Sequence, residues 1–85
     1  MNNENAQMSI NRTKIYFFMR ESLKAHIDKF DGKFLNGYFL SKADDEEDVF
    51  IFRDDVLGEQ HIFLQEIKRI DNFRAPKDRP KYNNF

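Results

Sequence analysis

The apolar positions of this chain change period part-way along. Between Ile10 and Leu23, Ile15, Phe18 or Met19, and Leu23 fall at the three-to-four-residue spacing of one helix face. Ser9 or Asn11 stands where such a helix would be capped. The run Ile15-Tyr16-Phe17-Phe18-Met19 is equally good strand material, so helix and strand both stay open for residues 13–20, with helix preferred. From Leu23 the period falls to two. Leu23, Ala25 and Ile27 alternate with Lys24, His26 and Asp28, as in a half-buried strand. Asp31-Gly32 follows, a strong hairpin signal. The next strand, Lys33 to Ser41, is apolar on both faces: Phe34, Tyr38 and Leu40 on one, Leu35 and Phe39 on the other. Gly37 in its middle marks a bend or a close backbone approach.

Three further strands are expected. Val49 to Arg53 is rich in β-branched and aromatic residues. Asp54 to Glu59 is a turn, with Gly58 able to take a positive φ. His61 to Leu64 makes the fourth strand, Gln65-Glu66 a tight step, and Ile67 to Asn72 a short fifth strand anchored by Ile67 and Ile70. Residues 1–9 are Asn-rich and without period, and read as a disordered arm. Residues 74–85 hold two prolines among alternating charges and read as an extended basic tail. The domain proper is 10–73. A short helix followed by five curved antiparallel strands implies an all-β fold closed into a small barrel, since closure removes exposed edges.

Composition adds a stability problem. A single domain of 85 residues buries only about 60–65% of its unfolded surface. There is no Cys to staple it or to supply thiolate ligands. Ten Phe and three Tyr are more than a small core hides, which points to some of them at an interface between copies. No apolar run approaches the roughly 20 residues of a membrane span, and the polar start MNNENAQMS is unlike a signal peptide. A cytoplasmic protein away from membranes is therefore expected. The net charge of −1 hides segregation: residues 44–59 carry eight acidic groups and one basic, residues 60–85 six basic and three acidic. Single-stranded nucleic acid would use the basic tail and avoid the acidic centre.

The order of elements and the local motifs resemble the Sm-like family of Sm, Lsm and Hfq proteins. His26-Ile27-Asp28-Lys29-Phe30-Asp31-Gly32, then Lys33-Phe34-Leu35-Asn36-Gly37-Tyr38-Phe39-Leu40, is similar to the first Sm motif, with its two glycines five residues apart. Val49-Phe50-Ile51-Phe52-Arg53-Asp54 looks like the third strand, and Ile62-Phe63-Leu64-Gln65-Glu66-Ile67-Lys68-Arg69-Ile70 like the second motif. The resemblance spans residues 10–73 and implies an RNA-binding barrel that assembles into a hexameric or heptameric ring, the fourth strand of one copy pairing with the fifth of the next. The seam would fall on Ile62, Phe63, Leu64, Ile67 and Ile70. The family's base-binding pocket would fall at residues 44–48 and at the step after the fourth strand. Here those places hold Asp44-Asp45-Glu46-Glu47-Asp48 and Gln65-Glu66, none of them cationic.

RNA contacts are therefore expected from Tyr16, on a helix lying over the barrel, from Lys42, Arg53, Gln65 and Lys68, and from the tail cations Arg74, Lys77, Arg79 and Lys81. Gly32, Gly37 and Gly58 are structural. The alternative is a protein-interaction module of the same fold, whose acidic stretch Asp44–Asp48 and exposed aromatics meet a basic partner. Catalysis is not expected. His26 and His61 lie in no nucleophile arrangement. Asp54, Asp55 and Glu59 sit on a turn without a cleft that would raise a carboxyl pKa. The acidic run lacks the spacing of a calcium loop, so no metal or cofactor is expected.

Overall fold

The structure, a computed structural model, describes residues 3–74. Helix α1 (Asn3–Glu21) leads into strands β1 (Ala25–Lys29), β2 (Phe34–Lys42), β3 (Val49–Asp54) and β4 (Gly58–Phe63). A single 3-10 turn (Leu64–Glu66) then joins β4 to β5 (Ile67–Asn72). All pairings are antiparallel, and the five strands form one sheet in the order β4-β3-β2-β1-β5. The sheet is open. β4 and β5 are its two edges, and the closure expected from the sequence is not seen within the chain.

Residues 13–20 are helical. Asn11, Ile15 and Phe18 are buried at i, i+4 and i+7, with Met8, Met19 and Leu23 packed beside them. The helix starts well before Ile10, so residues 3–9, expected in a disordered arm, belong to it. Ala6, Gln7 and Met8 are good helix formers, and Met8 has core to pack on. Asn11 is no cap. It lies inside the helix, fully buried, where its amide donates to the Ile67 carbonyl (3.2 Å) and accepts from the Gln7 amide (3.1 Å). The helix ends in a Schellman turn: Leu23 N–H reaches back to the Phe18 carbonyl (3.0 Å) and Ser22 takes a positive φ of 54°.

The inner face of the sheet carries Ala25, Ile27, Leu35, Phe39, Phe50, Phe52, Ile62, Ile67 and Ile70, and α1 covers part of it with Ile15 and Phe18. Phe39 and Phe52 pack edge to face at 4.9 Å. At Asp31-Gly32 the hairpin forms as expected, with Gly32 at φ 90°. Gly37 has a different task. A Cβ there would run into the Arg53 carbonyl of the neighbouring strand, so only glycine lets β2 lie this close to β3.

Asp54 closes the β3–β4 turn. Its buried carboxylate accepts from the backbone N–H groups of Asn36 (2.9 Å), Val56 (2.8 Å) and Leu57 (2.8 Å). Burial pushes this carboxyl up, but the three amides and the nearby Lys24 charge outweigh it and hold it below the usual 3.8. A carboxyl depressed on folding contributes stability above its unfolded pKa, and that contribution is lost as pH falls through the folded value. Unfolding measured from about pH 4 down to about pH 2 should therefore show stability falling with acid, with a flatter fall in Asp54→Asn. Gly37→Ala is expected to destabilise by about 3 kcal/mol or more, read as a lowered urea midpoint, because the clash is with backbone.

Candidate functional site

The β2–β3 loop and the step after β4, where the resemblance places a base-binding pocket, do come together. Leu64 N–H donates to the Asp48 carbonyl (2.8 Å), and Val49 pairs with Phe63. The groups there are already engaged. Glu66 accepts the Phe63 N–H (2.9 Å) and pairs with Lys29 (2.9 Å). Arg12 reaches from α1 to one carboxylate oxygen of Asp48 through both Nε (3.2 Å) and Nη2 (2.9 Å). A small cavity of about 250 Å³ remains, lined by Arg12, Tyr16, Lys42, Glu47, Asp48 and Phe50. Two expected contact residues, Tyr16 and Lys42, meet in it. Tyr16 packs edge-on against Phe50 (5.7 Å), and Lys42 donates to the carbonyls of Ala43 (3.1 Å) and Glu46 (3.0 Å). With Arg12 spent on Asp48 and two carboxylates in the wall, this cavity offers little to a phosphate.

The acidic run divides in two. Asp44, Asp45, Glu46 and Glu47 are exposed, whereas Asp48 is half-buried, tied to Arg12, and sits at φ 62°. Asp48 is thus part of the scaffold, at the junction of α1, the loop and the 3-10 turn. Asp44, Asp45 and Glu46 rim a second groove with Val49, Ile51 and His61. Among the described residues no group of three or more His, Cys, Asp or Glu is placed to hold a metal ion.

A wide groove, about 650 Å³, lies on the outer face of the sheet, across β5, β1 and β2. Strand register builds it. Asp71, His26 and Asn36 form one cross-strand row, and Arg69, Asp28 and Phe34 the row two residues away. His26 has an oxygen acceptor at each ring nitrogen: Asn36 Oδ1 at 2.6 Å from Nδ1 and Asp28 Oδ1 at 3.1 Å from Nε2. The Phe34 ring stands against the imidazole, with centroids 5.5 Å apart and planes tilted by 32°. Arg69 bridges Asp28 (3.3 Å) and Asp71 (2.9 Å). Asn72, Phe73 and Arg74 complete the wall. Phe73 is fixed by its N–H to the Lys24 carbonyl (3.0 Å) and by the Lys24 ammonium over its ring (4.2 Å). A neighbouring groove shares Arg69 and adds Lys33 and Lys68.

The expected contact residues are thus dispersed. Lys68 and Arg74 lie on the side of these two grooves, Arg53 is exposed on β3 opposite Tyr38, and Gln65 is exposed on the 3-10 turn. Lys77, Arg79 and Lys81 fall outside the described residues. Of the seam residues, Ile62, Leu64, Ile67 and Ile70 have their side chains buried in the chain's own core, and Phe63 is exposed, at 43%. Lys33, Phe34, Asn36, His26 and Arg69 were not foreseen as a group. The signal for them was the Asp31-Gly32 hairpin, which fixes His26 opposite Asn36 once its register is set.

No family model matches the chain, and no curated protein or solved structure matches it either.

Removing the Asp48 side chain should loosen the junction while Asp44 is silent. Asp48→Ala is expected to lower stability by about 1–2 kcal/mol in urea unfolding, through the lost Arg12 bond and the αL backbone. Asp44→Ala should change it by less than about 0.5 kcal/mol.

Proposed function

We propose that this chain is a non-catalytic Sm-like module of the cytoplasm. Copies assemble into a closed ring by pairing the β4 edge of one with the β5 edge of the next, and the ring carries single-stranded RNA. The observation behind this reading is the sheet order. β4 and β5 each have a neighbour on one side only, and three residues link them. Two complementary unpaired edges on one small domain are a template for self-association, and a ring satisfies both at once. In such a ring the five-stranded sheets join into one continuous barrel wall, which supplies the closure absent in the single chain. Exposed Phe63, on β4 at the edge, loses water in the same step. RNA would be held by the cations of the β5 side and of the tail, away from Asp44–Glu47.

The exposed acids favour a second reading, in which the same module docks a basic protein through Asp44, Asp45, Glu46 and Glu47 and binds no RNA. Size-exclusion chromatography with light scattering, at two salt concentrations, separates assembly from its absence: a hexamer or heptamer is expected, and a monomer at both salts contradicts the ring. For the cargo, single-stranded RNA should bind the wild type and weaken as salt rises. Replacing the four exposed acids by amides should leave RNA binding intact or stronger; if it abolishes a protein complex instead, the second reading holds.

A further inference from the structure

The outer face of β1, β2 and β5 carries a combination that the fold itself does not need. Phe34 is a large aromatic on the solvent side of a strand, 59% exposed, with His26 against it and the rest of its ring open. Beside it, Asn36 lines the same wide groove, with its Oδ1 held by His26. Next to that groove Lys33, Lys68 and Arg69 gather along a second one, and Arg74 stands at the far wall. Among the described residues Lys33 and Lys68 are in no ion pair, whereas Lys24, Lys29 and Arg12 all are. The acids of the β2–β3 loop line a different groove, with Ile51 and His61. Lys33, Lys68, Arg74 and the exposed aromatic thus share one face; its acids, Asp28 and Asp71, are both paired with Arg69, and the exposed acids of the β2–β3 loop lie elsewhere.

We propose that this face is the binding site for single-stranded nucleic acid. One base stacks on the open side of Phe34, its edge meeting Asn36, while the backbone phosphates run past Lys33 and Lys68 toward Arg74. The inference rests on the reading of the chain as an RNA-associated module and gives that module its contact surface. Stacking and phosphate attraction are independent of base identity, so the strand is bound with little sequence preference. His26 and Asp28 act as positioning residues. Asp28 accepts from His26 and pairs with Arg69, which fixes the ring behind Phe34 and the nearest cation in one arrangement.

The test uses the full chain and fluorescently labelled single-stranded RNAs of about eight nucleotides, one poly-U and one poly-A, followed by anisotropy. Phe34→Ala is expected to weaken binding about tenfold, the loss of one stacked base. Phe17→Ala, which removes an exposed aromatic from the far side of the helix, should leave binding unchanged. Lys33→Ala with Lys68→Ala should reduce the slope of log affinity against log salt by about 1.4, two phosphate contacts fewer. All these side chains are surface positions, and far-UV circular dichroism confirms that each variant folds. If wild type binds and Phe34→Ala binds equally well, the face is wrong although the chain remains an RNA binder. If wild type binds neither RNA at low salt, the site and the reading beneath it fall together.

Discussion

One close backbone approach organises this molecule. At Gly37, β2 lies against the Arg53 carbonyl with no room for a side chain. The same residue pairs with Ala25 on one side and Asp54 on the other, and those pair with Asn72 and Gly58. A single row, Asn72-Ala25-Gly37-Asp54-Gly58, therefore crosses all five strands. Ala25 and Gly37 in this row are small, and the Asp54 carboxylate in it accepts the N–H groups of Asn36, Val56 and Leu57. Small residues along one row let a sheet curl tightly where bulky ones would hold it flat. The bulky residues, Phe39, Phe50, Phe52 and Ile62, lie on rows further along, where the core is.

The strand order has consequences for both ends of the sheet. β4 and β5 become edges joined by a single 3-10 turn, and α1 locks that turn in place. Asn11 holds the Ile67 carbonyl, Arg12 holds Asp48, and Glu66 is consumed by Phe63 and Lys29. Polar groups that could have made a binding pocket at this junction instead satisfy each other. Burying them unpaired would cost far more than their pairing gains. On the outer face of β1, β2 and β5, His26, Asn36, Asp28, Arg69 and Asp71 pair among themselves as well, while Phe34, Lys33 and Lys68 meet solvent beside them.

Much of this was legible in the residues, and the reasons differ by element. The five strands and the Asp31-Gly32 turn follow from alternation and turn chemistry, and β5 begins and ends where Ile67 and Asn72 suggest. The helix was ambiguous because β-favouring aromatics crowd residues 16–18; packing of Ile15 and Phe18 on the sheet decides for helix. Its start was missed because residues 3–9 have no apolar period of their own and take helical form as the extension of an anchored segment. Ile62, Leu64, Ile67 and Ile70 lie on or beside the two edge strands and turn their side chains into the core, which a strand pattern alone does not reveal. The outer groove was missed for a related reason. Its residues come from three strands, and cross-strand register brings His26, Phe34 and Arg69 together where no sequence spacing does.

Central to the account is a sheet left open at β4 and β5 for pairing between copies. Amide hydrogen exchange, followed residue by residue at low and high protein concentration, tests it directly. The account predicts that outward-facing amides of β4 and β5 are protected and become more so as concentration rises, while those of β2 are protected throughout. Edge amides that exchange as fast as the β2–β3 loop at every concentration, beside a protected β2, would contradict it.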